Sequence, residues 1–201
     1  MATLVTIRNK VKRRYERNDV SNDVSNARID DFINDSLREI YNTLGDNAWF
    51  LRVMESVTVN QAPTVTTLPA ASRRLYRLED PAYPGDAIPW TMMGYDSDNN
   101  LQILARYGGT LTAHYRIIPP EMTDDSDVAY LPDEHVEVAV MLACKRLAES
   151  VGNASMSSYY LGESSMLLRE LKRDCLRYER QRMESLTTVP SYDSWTRGWR
   201  D

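Results

Sequence analysis

Apolar residues recur every three or four positions in four stretches of the chain, and this period predicts four amphipathic helices. The second is the clearest, because Ser25 or Asn26 can cap its start and Gly45 follows its end. The first three stripes are Leu4, Ile7, Val11 and Tyr15; Ile29, Phe32, Ile33, Leu37, Ile40, Tyr41 and Leu44; and Val136, Ala139, Val140, Ala143 and Leu147. The fourth helix is predicted over about 155–183, with a stripe of Tyr160, Leu167, Leu168, Leu171, Cys175 and Tyr178.

From Phe50 the apolar period shortens to every second residue, which is typical of half-buried strands. A strand from Val53 to Val59 and a returning strand at 64–68 flank a turn. Residues 101–107 and 110–117 are predicted to pair with each other as a hairpin. Short strands between turns favour antiparallel pairing, because parallel pairing needs long crossovers.

The order of these elements predicts a mainly α fold. Residues 1–48 and 119–185 are expected to form a four-helix bundle, with an antiparallel β insertion at 49–118 between helices 2 and 3. Residues 186–201 lack any period and are expected to form an extended C-terminal arm. A chain of 201 residues is long enough for one domain that carries such an insertion.

The aromatic content favours interfaces. The chain has 12 Tyr and 4 Trp but only 2 Phe, and Tyr and Trp suit surfaces that are dry on one side and wet on the other. A tyrosine-rich core explains the same composition, so both interpretations stay open.

The net charge of −5 argues against a protein that grips nucleic acid without sequence preference, because such a protein needs a basic excess. A mildly acidic wall along which DNA passes is compatible with this charge. The polar side of the first helix is locally basic and carries Arg8, Lys10, Lys12, Arg13, Arg14 and Arg17. That surface keeps a small DNA-binding protein open as an alternative.

No apolar run approaches the roughly 20 residues that span a bilayer, and the first residues lack a signal-peptide layout. We therefore expect synthesis in a reducing cytoplasm and no membrane partner. Cys144 and Cys175 fall on apolar helical faces, which favours small core residues over a disulfide or a metal site.

The residues offer little chemistry. His114 and His135 are the only histidines, and neither has a second His or Cys at ligand spacing. There is no nucleophile elbow or glycine-rich phosphate loop, and the acids from Asp124 to Asp127 lack the layout of a calcium loop. We expect no catalytic residue, metal or cofactor. Peptidoglycan hydrolysis by a carboxylate pair stays open as an alternative, although no single acid is marked out for it.

Two groups of residues are candidates for protein contacts. The arm carries hot-spot residue types within a short stretch, and these are Tyr192, Trp195, Arg197, Trp199 and Arg200. The arm can dock into a neighbouring chain or fold back onto its own subunit. The fourth helix carries a basic side that includes Arg169, Arg173, Arg177 and Arg180, which can be a solvated face or a contact surface.

The opening Thr3-Leu4-Val5-Thr6-Ile7-Arg8-Asn9-Lys10-Val11-Lys12-Arg13-Arg14 resembles the start of adaptor proteins of tailed phages. So does Ser25-Asn26-Ala27-Arg28-Ile29-Asp30-Asp31-Phe32-Ile33-Asn34. The segment from Tyr130 to Val140, followed by Cys144-Lys145-Arg146-Leu147-Ala148, is similar to their third helix. The layout of helices, β insertion and C-terminal extension covers nearly the whole chain.

This resemblance implies a structural protein of the virion neck rather than an enzyme. Its copies, usually twelve, would form a ring beneath the portal protein, with double-stranded DNA passing through the channel without specific binding. The β part would face a tail or nozzle protein, and the arm residues named above would dock on the portal. The arginines of the fourth helix would contact the next subunit, because a head-to-tail ring can join a basic face to an acidic one.

Overall fold

The computed structural model describes residues 1–16, 24–69, 72–83, 86–98 and 100–187. Its four α-helices are α1 (Leu4–Glu16), α2 (Asn26–Leu44), α3 (Val136–Ser150) and α4 (Ala154–Thr187). The predicted start of α2 is confirmed, because Ser25 caps it and accepts the backbone N–H of Arg28 at 3.4 Å. Gly45 follows α2 at a φ of 54°, which favours glycine.

Helix α3 lies at the centre of the helical part, because it packs on α1 and α2 and also on α4. Ten of its fifteen side chains are buried, and from Val138 to Cys144 every residue is apolar and buried, as a helix with neighbours on several sides requires. Alanines such as Ala139 and Ala143 allow the neighbouring helices to approach closely. By contrast, α4 buries a single stripe whose fully covered members are Tyr160, Ser164, Leu171 and Cys175.

Six strands form two three-stranded antiparallel sheets. They are β1 (Arg52–Val59), β2 (Thr66–Thr67), β3 (Ser72–Glu79), β4 (Trp90–Tyr95), β5 (Leu101–Ala105) and β6 (Gly109–Ile117). The first sheet has the order β1-β6-β3 and the second has the order β2-β5-β4. Their apolar faces enclose a second core that is separate from the helical core.

The prediction of a mainly α fold is wrong. About half of the described residues are helical and a quarter are in strands or bridges, so the fold combines four helices with two antiparallel sheets. The physical reason is that the strands bury a core of their own. Strands β1, β3 and β6 reach eight or nine residues each, longer than an appended loop of short strands requires.

The predicted hairpin of residues 101–107 with 110–117 is also wrong. Strand β5 pairs with β2 and β4, whereas β6 pairs with β1 and β3. The chain crosses from one sheet to the other at Gly108, where a Cβ atom would lie 2.6 Å from the backbone nitrogen of Gln61. Glycine is needed there for this close backbone approach, and the alternation of residues does not reveal it.

Candidate interaction surfaces

The outward side of α4 carries all four arginines that the sequence singled out as subunit contacts. Arg169, Arg173 and Arg177 are four residues apart and Arg180 follows three later, so helical geometry places them on one side. All four are exposed and lie away from the buried stripe. Among the residues that the structure describes, Arg173 and Arg180 have no ion-pair partner.

Apolar side chains lie between these arginines. Met166 is 48% exposed and Leu176 is 45% exposed, although both are large apolar groups. Together with neighbouring positions they form a row with successive spacings of four and three, which we call the α4 stripe: Gly162, Met166, Arg169, Arg173, Leu176 and Arg180. This spacing is the one by which a helix contacts a single neighbouring helix.

An acidic face lies where α2 and the segment after β6 meet. Its members are Asp31, Asp35, Glu121, Asp124 and Asp125, all at least partly exposed. Arg28 and Arg38 also lie on this side, but Arg38 is bound to Asp35 at 3.0 Å and to Glu121. The face is therefore acidic overall.

The segment after β6 is fixed on α2 by the amide of Asn34. Its Nδ2 donates to the backbone oxygen of Met122 at 2.9 Å, and its Oδ1 accepts the Met122 backbone N–H at 3.0 Å. An asparagine amide can satisfy both backbone groups of one residue in this way. The acids of this segment, which we call the linker (121–127), thus lie at defined positions beside α2.

A groove of about 340 Å³ adjoins the acidic face; Glu121 of that face lines it, as does the neighbouring Arg38. Its walls are mostly apolar and include Leu37, Tyr41, Ile117, Pro119, Val128 and Tyr130. Val128 is 39% exposed and Tyr130 is 37% exposed. An apolar hollow beside charged groups has the layout of a protein interface, in which a dry centre is surrounded by a polar rim.

Arg8 is buried, contrary to its sequence assignment to the basic side of the first helix. Its guanidinium donates to both oxygens of Asp30, at 2.6 and 2.7 Å, and lies 2.8 Å from Asp125. The hydrogen bond to Asp30 raises the pKa of Arg8 above its ordinary value. The residue thus joins α1, α2 and the linker, and the pattern of charges alone gave no signal of this role.

A polar junction, missed by the sequence analysis, connects the helical part to the first sheet. Asp46, just beyond α2, binds Arg74 of β3 and lies 3.6 Å from Arg116 of β6. Arg116 also donates to the backbone oxygen of Tyr41 at 3.0 Å. Desolvation lowers the pKa of Arg116. In the sequence, the only hint of this junction was an arginine near the end of each strand that meets the helices, Arg74 in β3 and Arg116 in β6.

A second tie runs from the first sheet to α4. Arg52, at the start of β1, lies 2.6 Å from Glu179. Close by, the rings of Trp49 and Tyr178 stack with their centroids 4.8 Å apart. The late part of α4 is thus held against both the helical core and the sheet.

The described residues include no group of three or more His, Cys, Asp or Glu that could hold a metal ion. Burial raises the pKa of the Cys144 thiol to about 12 and that of Cys175 to about 11, so both thiols are poor nucleophiles at neutral pH. His114 pairs with Glu79 at 2.6 Å, and His135 lies 3.5 Å from Asp174.

The arm residues predicted to dock on a neighbouring protein lie outside the described residues. They are Tyr192, Trp195, Arg197, Trp199 and Arg200. Within the described ranges, no helix combines the length and the apolar character that crossing a membrane requires.

Comparison with curated proteins finds no match for this chain. A family model described as SU10 adaptor protein, however, matches residues 2–190, which is nearly the whole chain. The match confirms the resemblance to phage adaptor proteins that the opening and third-helix motifs indicated. The chain therefore belongs to the SU10 adaptor protein family.

Proposed function

We propose that the chain is the head-to-tail adaptor subunit that forms a ring beneath the portal of a tailed phage and links it to the tail. The observation that carries this proposal is the α4 stripe, whose exposed arginines and exposed apolar side chains lie on the outside of a folded subunit. Exposed apolar groups among charges mark a protein contact more often than a catalytic site. Membership of an adaptor family supports the same conclusion.

In this proposal the contact between subunits is heterologous, so the surface on one copy differs from the surface that it meets on the next. Such contacts close into a ring when the rotation between copies divides a full turn. Arg169, Arg173, Arg177 and Arg180 contribute one half of the contact. Ring copies, about twelve as the family resemblance implies, would surround the DNA channel without gripping the DNA, in keeping with a net charge of −5.

We assign one contact to each of the three parts expected from the sequence. The helical part (1–48 and 119–185) would form the ring, the β part (49–118) would face the tail or nozzle protein, and the arm (186–201) would bind the portal. The arm's two tryptophans and two arginines support this assignment, because these types dominate binding energy at interfaces.

Electron microscopy of the purified chain mixed with its portal protein tests the proposal directly. We expect copies arranged side by side in a ring on one end of the portal. A chain that stays separate from the portal, or that binds it as isolated copies, would contradict the proposal.

Deletion of residues 187–201 tests the role of the arm. We expect an unchanged circular dichroism spectrum and loss of co-purification with portal. A companion variant, Trp195→Ala/Trp199→Ala, keeps all 201 residues and should also weaken binding to portal. Wild-type co-purification of the truncated chain would refute portal docking by the arm.

The hydrolase and DNA-binding alternatives each have a direct assay. We expect no clearing of peptidoglycan in a zymogram of the purified chain. We also expect no salt-sensitive shift of duplex DNA, in part because Arg8, counted on the basic side of α1, is buried in an ion pair.

A further inference from the structure

We propose that the α4 stripe of one copy docks on the acidic face of α2 and its linker in the next copy, with Gly162 as the point of closest helix approach. This inference rests on the proposed ring and names the two surfaces that form it. The occupant of each surface is a second copy of this chain.

The positions of the two surfaces fit a head-to-tail contact. Helix α3 packs on α2 and also on α4, so it separates the two. The α4 stripe faces away from α3, because the buried residues of α4 lie on the other side of that helix. Asp31 and Asp35 likewise lie away from the buried stripe of α2. The two surfaces therefore lie on different helices and away from α3, as a heterologous contact between copies requires.

The charges of the two surfaces are complementary. Three of the six positions in the α4 stripe are arginines, whereas the receiving face has five acids. Arg38 and Arg8 pair with three of these acids, and Asp31 and Asp124 have no ion pair within the described residues. Oppositely charged surfaces steer association and fix the register of the contact. Two stripe arginines have no ion-pair partner within the described part of the subunit, so they are available to another copy.

The apolar groups are complementary as well. Met166 and Leu176 project between the arginines, and the groove beside Glu121 offers about 340 Å³ of mostly apolar space. A flexible methionine side chain is suited to filling an irregular hollow of this kind. Charge and shape thus favour the same partner surface independently.

Gly162 is the third observation. A glycine inside a helix is destabilising relative to alanine, and a Cβ atom at this position would meet nothing within 4 Å. Packing within the subunit therefore gives no reason for a glycine here. Its position in the outward row gives one, because a residue without a side chain lets the backbone of a neighbouring helix come close.

Cysteine cross-linking on the portal-bound full-length chain tests the contact. The variant Asp35→Cys/Arg173→Cys carries both halves of the contact, so oxidation should produce a ladder of covalent multimers. The native Cys144 and Cys175 are buried and should not interfere. The control variant Met54→Cys/Arg173→Cys places one thiol on an exposed position of β1 and should give no ladder.

The outcomes separate the two proposals. If the Asp35/Arg173 variant gives no ladder while microscopy shows copies side by side on the portal, the docking surfaces are wrong and the ring stands. If no side-by-side copies form with the wild-type chain, both proposals fail.

Charge reversal provides a second test. The variants Arg169→Asp/Arg173→Asp and Asp31→Arg/Asp35→Arg should each lose assembly on the portal by about tenfold or more. A one-to-one mixture should assemble again with the two variants alternating, because each then offers the charge that the other needs. Failure of the mixture, with both variants folded by circular dichroism, would overturn the inference.

Gly162→Gln distinguishes contact from folding. Because glutamine is a better helix former, the variant should raise the melting temperature of the free subunit. It should also reduce assembly on the portal, since the added side chain separates the two helices. If the variant assembles as well as the wild type, Gly162 does not lie in the contact between copies.

Discussion

Helices α3 and α4 lie side by side, yet they differ in how they meet their surroundings. Helix α3 is covered on nearly all sides by α1, α2 and α4, and it carries small side chains where its neighbours come close. Helix α4 is the longer of the two and buries one stripe, leaving large apolar groups such as Met166, Leu176 and Tyr159 in solvent. The contrast indicates that α3 stabilises the subunit and α4 is available to partners.

The contrast also explains the chemical difference between the helices. A side chain of α3 is fixed by close packing, so its volume matters. A side chain on the outside of α4 affects the subunit little, so its charge can be set by what it binds. Substitutions should therefore lower the free energy of unfolding in α3 and alter assembly in α4.

The largest expected effect is in α3. Leu147→Ala removes a fully buried side chain and should lower the free energy of unfolding by about 4 kcal/mol, because a cavity remains. Met166→Ala on α4 is the control and should change it by less than about 0.5 kcal/mol. Urea denaturation measures both. Equal losses would show that the outside of α4 also stabilises the subunit.

The next largest loss of unfolding free energy is expected at Arg8. Its ion pairs connect α1 to α2 and to the linker. Arg8→Met leaves Asp30 without its main partner in a mostly buried site and should cost about 3 kcal/mol. The control, Arg13→Met, alters an exposed arginine of the same helix and should be nearly neutral. If both variants unfold at the same urea concentration, the ion pair does not fasten the linker.

Tyr178 of α4 stacks on Trp49, next to the start of β1, and this contact should stabilise the subunit. Tyr178→Ala should lower the free energy of unfolding by about 1 kcal/mol, since it removes the stacking contact. Tyr178→Phe keeps the ring and should be close to wild type. Thermal unfolding followed by tryptophan fluorescence distinguishes them, and identical melting of all three proteins would exclude a role for the stack.

The smallest expected effect is a local loss of stability in the linker turn at acid pH. The carboxylate of Asp127 accepts the backbone N–H groups of Asp124 at 2.8 Å and Thr123 at 2.7 Å, and these bonds lower its pKa below the ordinary 3.8. The ionised form therefore favours the turn above about pH 4, and this stabilisation is lost as the pH falls through the lowered pKa.

Amide exchange measured as protection factors at residues 123 and 124 tests this turn. Protection should fall in the wild type between about pH 5 and pH 2. In the Asp127→Asn variant, protection should already be lower at about pH 5 and should change little as the pH falls. A wild-type turn whose protection is constant over this range would show that Asp127 does not hold it.

The periodicity of the sequence located all four helices, and the cap at Ser25 and the stop at Gly45 fixed the ends of α2 closely. These features depend on neighbouring residues along the chain, so local pattern is sufficient. Alternation likewise located most strands and indicated antiparallel pairing. It could not supply their partners, because β5 and β6 are adjacent in sequence but lie in different sheets.

The four arginines of α4 were found from the sequence because they share one helical side. The receiving acidic face was not, because Asp31 and Asp35 lie about ninety residues before Glu121 and Asp124 in the sequence. The bonds between Asn34 and Met122, together with the ion pairs of Arg8 and Arg38, place the linker beside α2. The same holds for Arg8, whose burial depends on two acids from other segments.

By itself, therefore, the sequence determined the helices, the family and one half of the proposed contact, since each is written in short-range spacing or motif. Tertiary structure decided that the β part buries a core of its own, how its strands pair, that Arg8 is buried and that acids of α2 and the linker form one face. These depend on residues that are distant along the chain and meet only when the two cores close.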